Sequence, residues 1–134
     1  MVGRAIAMLE DDPSLRELLR EVLESEGHLV IMCQSLLEVH QAAIRGASLV
    51  IADTWGPGQA TLGAAERQQI LDLARLVPTI LTSGRAWASH AYAQDLGLAG
   101  LLVKPFDLWT LIALVETLQG QAPLASTRPA VSSE

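Results

Sequence analysis

Ala5-Ile6-Ala7-Met8-Leu9-Glu10-Asp11-Asp12-Pro13-Ser14-Leu15 is the stretch that decides the architecture. A strand's length of apolar residues runs straight into three carboxylates. A proline follows, and a stripe then begins in which Leu15, Leu18, Leu19, Val22 and Leu23 recur at helical spacing. Asp12 suits the N-cap, and Pro13 suits the first helical position, where no N–H is missed. Gly27 offers a stop. The stretch therefore reads as strand, acidic end, capped helix.

The same order recurs down the chain. Leu29 to Met32, Leu49 to Ala52, Thr79 to Leu81 and Leu101 to Val103 are further short apolar runs. They are continuously apolar, which predicts strands covered on both faces. The second helical pattern opens at Ser35 with Glu38 three residues on, a capping box, and stops at Gly46. The third runs from near Leu62 to Leu76, and the fourth from about Arg85 to Asp95, with Gly97 after it. The fifth follows Asp107, carries Leu108, Leu111, Ile112, Val115 and Leu118, and stops at Gly120. Such alternation predicts an α/β three-layer sandwich: a parallel sheet, helices on both faces, right-handed crossovers. Its ligand site is expected at the carboxyl ends of the strands.

Composition narrows the class. The 134 residues make one domain, half of them apolar and 18% charged, which excludes a disordered chain. Mean hydropathy is +0.31, yet no apolar run approaches the ~20 residues of a membrane span. Glu10 to Asp12 stop the first apolar run too early for a secretory signal, so a cytoplasmic protein without membrane contact is expected. The single cysteine, Cys33, excludes an internal disulfide and a cysteine zinc cage; inside an apolar run it reads as a buried hydrophobe. A net charge of −6 argues against nucleic acid as a partner. His28, His40 and His90 share no metal spacing and are expected at surface or partly buried positions. Residues 120–134, rich in Ala, Ser, Pro and Thr, read as a tail or truncated linker after a domain of residues 1–119.

The strand ends carry the chemistry. Glu10-Asp11-Asp12, Asp53, Thr82-Ser83 and Lys104-Pro105 each close an apolar run, and the fold would gather them at one edge. Crowded carboxylates repel and call for a cation. A few hard oxygen ligands with open positions suit Mg²⁺. Asp53 could then attack phosphorus, with the Lys104 ammonium and the Thr82 hydroxyl stabilising charge on the moving oxygens. Each group also has a plainer use. The acids favour a helix N-terminus, Asp53 could open a turn, and Thr82 could cap the fourth helix. Their joint placement at four strand ends favours the chemical reading. Gly56, Gly58 and Gly63 lack the Lys-Ser/Thr pair of a phosphate loop.

These residues resemble the receiver domains of two-component response regulators. Leu9 to Arg16 is similar to the acidic-pair segment, and Val50-Ile51-Ala52-Asp53 with Pro57 to the phosphoacceptor strand and loop. Leu81-Thr82-Ser83-Gly84 resembles the switch-hydroxyl segment, and Lys104-Pro105-Phe106 the signature with a cis peptide before proline. The resemblance covers roughly residues 4 to 119. It implies a flavodoxin-like sheet in order 2-1-3-4-5 and a signalling module, not an enzyme. Asp53 would be the phosphoacceptor. Mg²⁺ would be held by Asp11 directly, Glu10 through water, Asp53, and the backbone carbonyl of Trp55. Thr82 and Lys104 would hold the phosphoryl oxygens. The donor would be a phosphohistidine on a sensor histidine kinase or a histidine phosphotransfer protein. Output would leave through the fourth helix, fifth strand and fifth helix, where Trp87 and Trp109 fall; a homodimer is one assembly the resemblance allows.

The sequence also departs from that pattern. Leu101 stands where many receivers carry a switch aromatic, and residues 54–59 lack the common Asp-Gly pair. Thr82, moving toward the phosphoryl group, is expected to free space near Leu101. Trp55 and Leu101 feed an alternative, a pseudo-receiver that binds protein without phosphorylation. A third reading, an aspartate-nucleophile phosphatase, is opposed by Trp55, which stands where such enzymes need a second Asp.

Overall fold

A computed structural model describes residues 5–53, 63–84, 88 and 93–120. Five parallel strands form one sheet: β1 (Ala5–Leu9), β2 (Leu29–Cys33), β3 (Leu49–Asp53), β4 (Thr79–Ser83) and β5 (Gly100–Val103), in the order β2-β1-β3-β4-β5. The helices are α1 (Pro13–Ser25), α2 (Leu36–Ile44), α3 (Ala64–Leu76) and α4 (Leu108–Leu118). The last of these answers to the fifth helical pattern of the sequence. Of the fourth pattern, Ala93–Leu96 form a 3₁₀ turn and Ala88 is buried, while the rest lies outside the described residues.

Local chemistry sets the helix starts. The Asp12 carboxylate accepts hydrogen bonds from the backbone N–H groups of Ser14 and Leu15, with Pro13 just inside the helix. Ser35 Oγ accepts from Glu38 N, and Glu38 Oε1 accepts from Gln34 N, one residue further out than the usual capping box. Asp107 caps α4 through Trp109 N.

The sheet separates two apolar layers. One joins Ala7, Val50, Ala52 and Leu81 to α2 and α3 through Val39, Ile70 and Leu73, with Leu101 packed against it. The other joins Ile6, Met8, Ile51 and Ile80 to α1 and α4 through Leu19, Leu23, Leu111 and Val115, with Leu102 against it. Gly100 lies under α4: a Cβ there would meet Leu114 Cδ2, the end of a flexible side chain. Covering is complete only for the central strands. β2 is an edge, and Leu29 is 57% exposed. A continuous apolar run therefore overstated its burial, because α2 does not reach over the outer edge. His28 also differs from expectation: it is buried at the α1–β2 connection. Trp109 is half-exposed on α4. No helix among the described residues is long and apolar enough to cross a membrane.

Candidate functional site

Parallel pairing brings the strand ends to one edge. Leu9 is level with Ala52, and Asp53 is level with Thr82. Glu10 and Asp11 follow β1 directly, so their carboxylates meet that of Asp53 across the β1–β3 boundary. One oxygen from each of the three lies within 4.8 Å of the others. Glu10 is buried and Asp11 exposed, so the cluster has a closed floor and an open rim.

Lys104 reaches this cluster from the end of β5. Its Nζ lies 3.0 Å from Glu10 Oε2 and 3.2 Å from Asp53 Oδ2. Two further donors hold Glu10: the Asp12 backbone N–H donates to Glu10 Oε2 at 3.1 Å, and the Arg16 side chain donates through Nη1 to the Glu10 carbonyl. The Lys104–Pro105 peptide is cis, as the Lys-Pro-Phe signature implied. Lys104 N–H donates to the Ser83 carbonyl at 2.8 Å, which ties β5's end to β4's.

These contacts show in the ionisation of Asp53. Burial, then the neighbouring Glu10 charge, push its pKa up to about 6 against the opposing pull of Lys104. For Lys104, burial works to lower the pKa; the Glu10 hydrogen bond and the Asp53 and Glu10 charges outweigh it and raise the pKa above its ordinary value. The site thus holds a surplus of negative charge that one lysine only partly offsets. Its donor set is hard oxygen with an open side, which fits a small divalent cation.

The two β4 hydroxyls part company here. Side chains alternate along a strand, so Thr82 shares a face with Ile80, and Ser83 with Leu81. Thr82 therefore faces the α1/α4 layer beside Asp53, whereas Leu101 and Ser83 face the α2/α3 layer. The expected coupling of Thr82 to Leu101 across one face does not hold: the sheet lies between them. Ser83 thus closes β4 on the side of the sheet away from Asp53. Trp55, with its expected carbonyl ligand, and Trp87 and His90 lie outside the described residues. Cys33 is buried, and burial raises its thiol pKa, as an inert core cysteine requires.

Comparison with known proteins agrees with this architecture. No protein-family model matches the sequence. The phosphate regulon transcriptional regulatory protein PhoB of Pseudomonas aeruginosa is 22% identical over 120 residues, which is 88% of this chain and 52% of PhoB. The chain thus spans about half the length of the curated relative it matches. Among solved structures, a CheY-like response regulator receiver domain protein of Methanospirillum hungatei matches with TM-score 0.69 and 18% identity over 90% of this chain and 97% of its own. Response regulator TrrA of Thermotoga maritima, solved in complex with Mg²⁺-BeF, matches with TM-score 0.66 and 23% identity over 86% of this chain and 98% of its own. The chain has the fold of CheY-like response regulator receiver domains.

Proposed function

We propose that this chain is a phosphorylatable receiver module in which Asp53 accepts a phosphoryl group. The observation that carries the reading is Lys104 Nζ, held between Glu10 and Asp53 at the carboxyl edge of the sheet. One Asp53 oxygen would attack phosphorus while the bond to the donor breaks, its electron pair leaving on the donor nitrogen or oxygen. Lys104 offsets charge on the oxygens in transit, and Thr82 supplies a hydroxyl beside Asp53 at the end of β4. Mg²⁺ is the cation we assign to Glu10, Asp11 and Asp53, with the carbonyl of Trp55 as a further ligand; when bound it neutralises phosphoryl charge. A histidine kinase or histidine phosphotransfer protein is the proposed donor, and a conformational change the proposed output. An apolar cleft of about 400 Å³, lined by Leu15, Leu18, Phe106 and Leu108, opens beside Lys104 and supports a protein donor there.

Incubation with acetyl phosphate and Mg²⁺, followed by intact-mass measurement, tests the reading. The parent should gain one phosphoryl mass and Asp53→Asn none. No gain in the parent would favour the pseudo-receiver, and an equal gain in Asp53→Asn would put the acceptor elsewhere. Steady release of phosphate over many turnovers would favour the phosphatase.

A further inference from the structure

Thr82 is fully buried, and its Oγ1 has no hydrogen-bond partner among the described residues. A buried hydroxyl left unpaired costs free energy, so its place in the fold calls for a reason. The site supplies one. Thr82 is the register partner of Asp53 on the neighbouring strand, and strand alternation puts both on the α1/α4 face. Adjacent strands lie about 4.8 Å apart, within reach of a short hydroxyl once χ1 turns. Lys104 already takes Asp53 Oδ2 and Glu10 Oε2 from the rim of the cluster. The Thr82 hydroxyl is a buried, unengaged donor on the same face as Asp53.

We propose that Thr82 is a positioning residue that shortens the life of the phosphorylated state by donating a hydrogen bond from its hydroxyl to the Asp53 carboxylate. This rests on Asp53 being the acceptor. In hydrolysis, water oxygen adds to phosphorus, and the bond from phosphorus to the Asp53 oxygen breaks. The electron pair returns to Asp53, and both water hydrogens leave on the product, dihydrogen phosphate. Negative charge therefore grows on the Asp53 carboxylate as the bond breaks. A hydrogen bond to a full carboxylate is stronger than one to the neutral acyl oxygen of the phosphorylated form. The donor thus favours the bond-breaking transition state over the phosphorylated ground state, which is differential binding in the sense that accelerates a reaction.

The test compares the parent with Thr82→Val and Thr82→Ala, which lack the donor, and Thr82→Ser, which keeps it. Each is phosphorylated with acetyl phosphate and Mg²⁺, freed of the donor by gel filtration, and followed by intact mass as the phosphoryl group is lost. Val and Ala should hold the phosphoryl group about three- to tenfold longer than the parent, and Ser should match the parent. Val and Ala decaying at the parent's rate, or Ser decaying as slowly as Val, would overturn the proposal. A second measurement does not need phosphorylation: the side-chain carboxylate ¹³C shift of Asp53 at pH 8 without metal. Val and Ala should differ from the parent and Ser. One common shift in all four refutes the contact even if phosphorylation proceeds. A parent that takes up no phosphoryl group refutes the acceptor reading, while the shifts still decide the contact.

Discussion

Asp53 carries the tension of the site. Its carboxyl keeps its proton up to about pH 6 in the fold, against an ordinary value of 3.8 for the free side chain, because burial and Glu10 disfavour the charge more than Lys104 favours it. Between those pH values the folded chain binds the proton and the unfolded chain does not. The stability this group contributes is therefore fully present below the unfolded pKa and is lost as pH rises through about 6. At neutral pH the ionised Asp53 is a net cost to folding. Asp53→Asn should accordingly melt a few degrees higher than the parent at pH 7.5, and the gain should disappear near pH 4. Thermal scans of both proteins across that range, without metal, check it; an unchanged or lower midpoint for the variant at pH 7.5 contradicts the account. The proposed function stands on a group that the fold tolerates rather than needs.

At the scale of elements, α4 meets β5 where Leu114 lies over Gly100. A methyl group added at Gly100 would run into Leu114 Cδ2, the far end of a flexible and partly buried side chain, so Leu114 must turn to admit it. Gly100→Ala should therefore leave α4 in place and cost about 1 kcal/mol or less. Urea unfolding would show a slightly lower midpoint with an unchanged slope; a loss several-fold larger would mean that Leu114 cannot turn aside. The helix starts are legible in the amino-acid sequence. Asp12, Ser35 and Asp107 each sit just ahead of an apolar stripe, and their side chains bond locally, within three residues. The sheet edges are less legible. Leu29 and Ile31 read like core, and their exposure follows from β2 lying at the border of the sheet, a fact no local pattern contains.

For the whole molecule, the net charge of −6 and the carboxylate cluster act together. A divalent cation bound at the carboxyl edge would relieve repulsion present only in the folded state, so binding should stabilise the fold by mass action. Millimolar MgCl₂ should raise the melting midpoint of the parent above that in NaCl of matched ionic strength. Asp11→Ala, altered at an exposed position, should fold normally and lose most of that rise. Equal Mg²⁺ stabilisation of parent and variant would move the cation away from Asp11.

The sequence alone determined the alternation of strand and helix, the caps, the burial of the central strands, and the acids and lysine at the strand ends. All of these depend on residues near one another in the chain. It also placed Asp53, Glu10, Asp11 and Lys104 in one site, because parallel strands send their carboxyl ends the same way. What only the tertiary structure decided was register. Lys104 meets Glu10 across 94 residues of sequence, and Asp53 lies level with Thr82 and not Ser83. Alternation within β4 says that the two hydroxyls face opposite layers. Which layer each one faces follows from packing α1 and α4 on one side of the sheet and α2 and α3 on the other. A strand's period of two is written locally, but its phase relative to a distant strand is settled only when the sheet and its two cores form together.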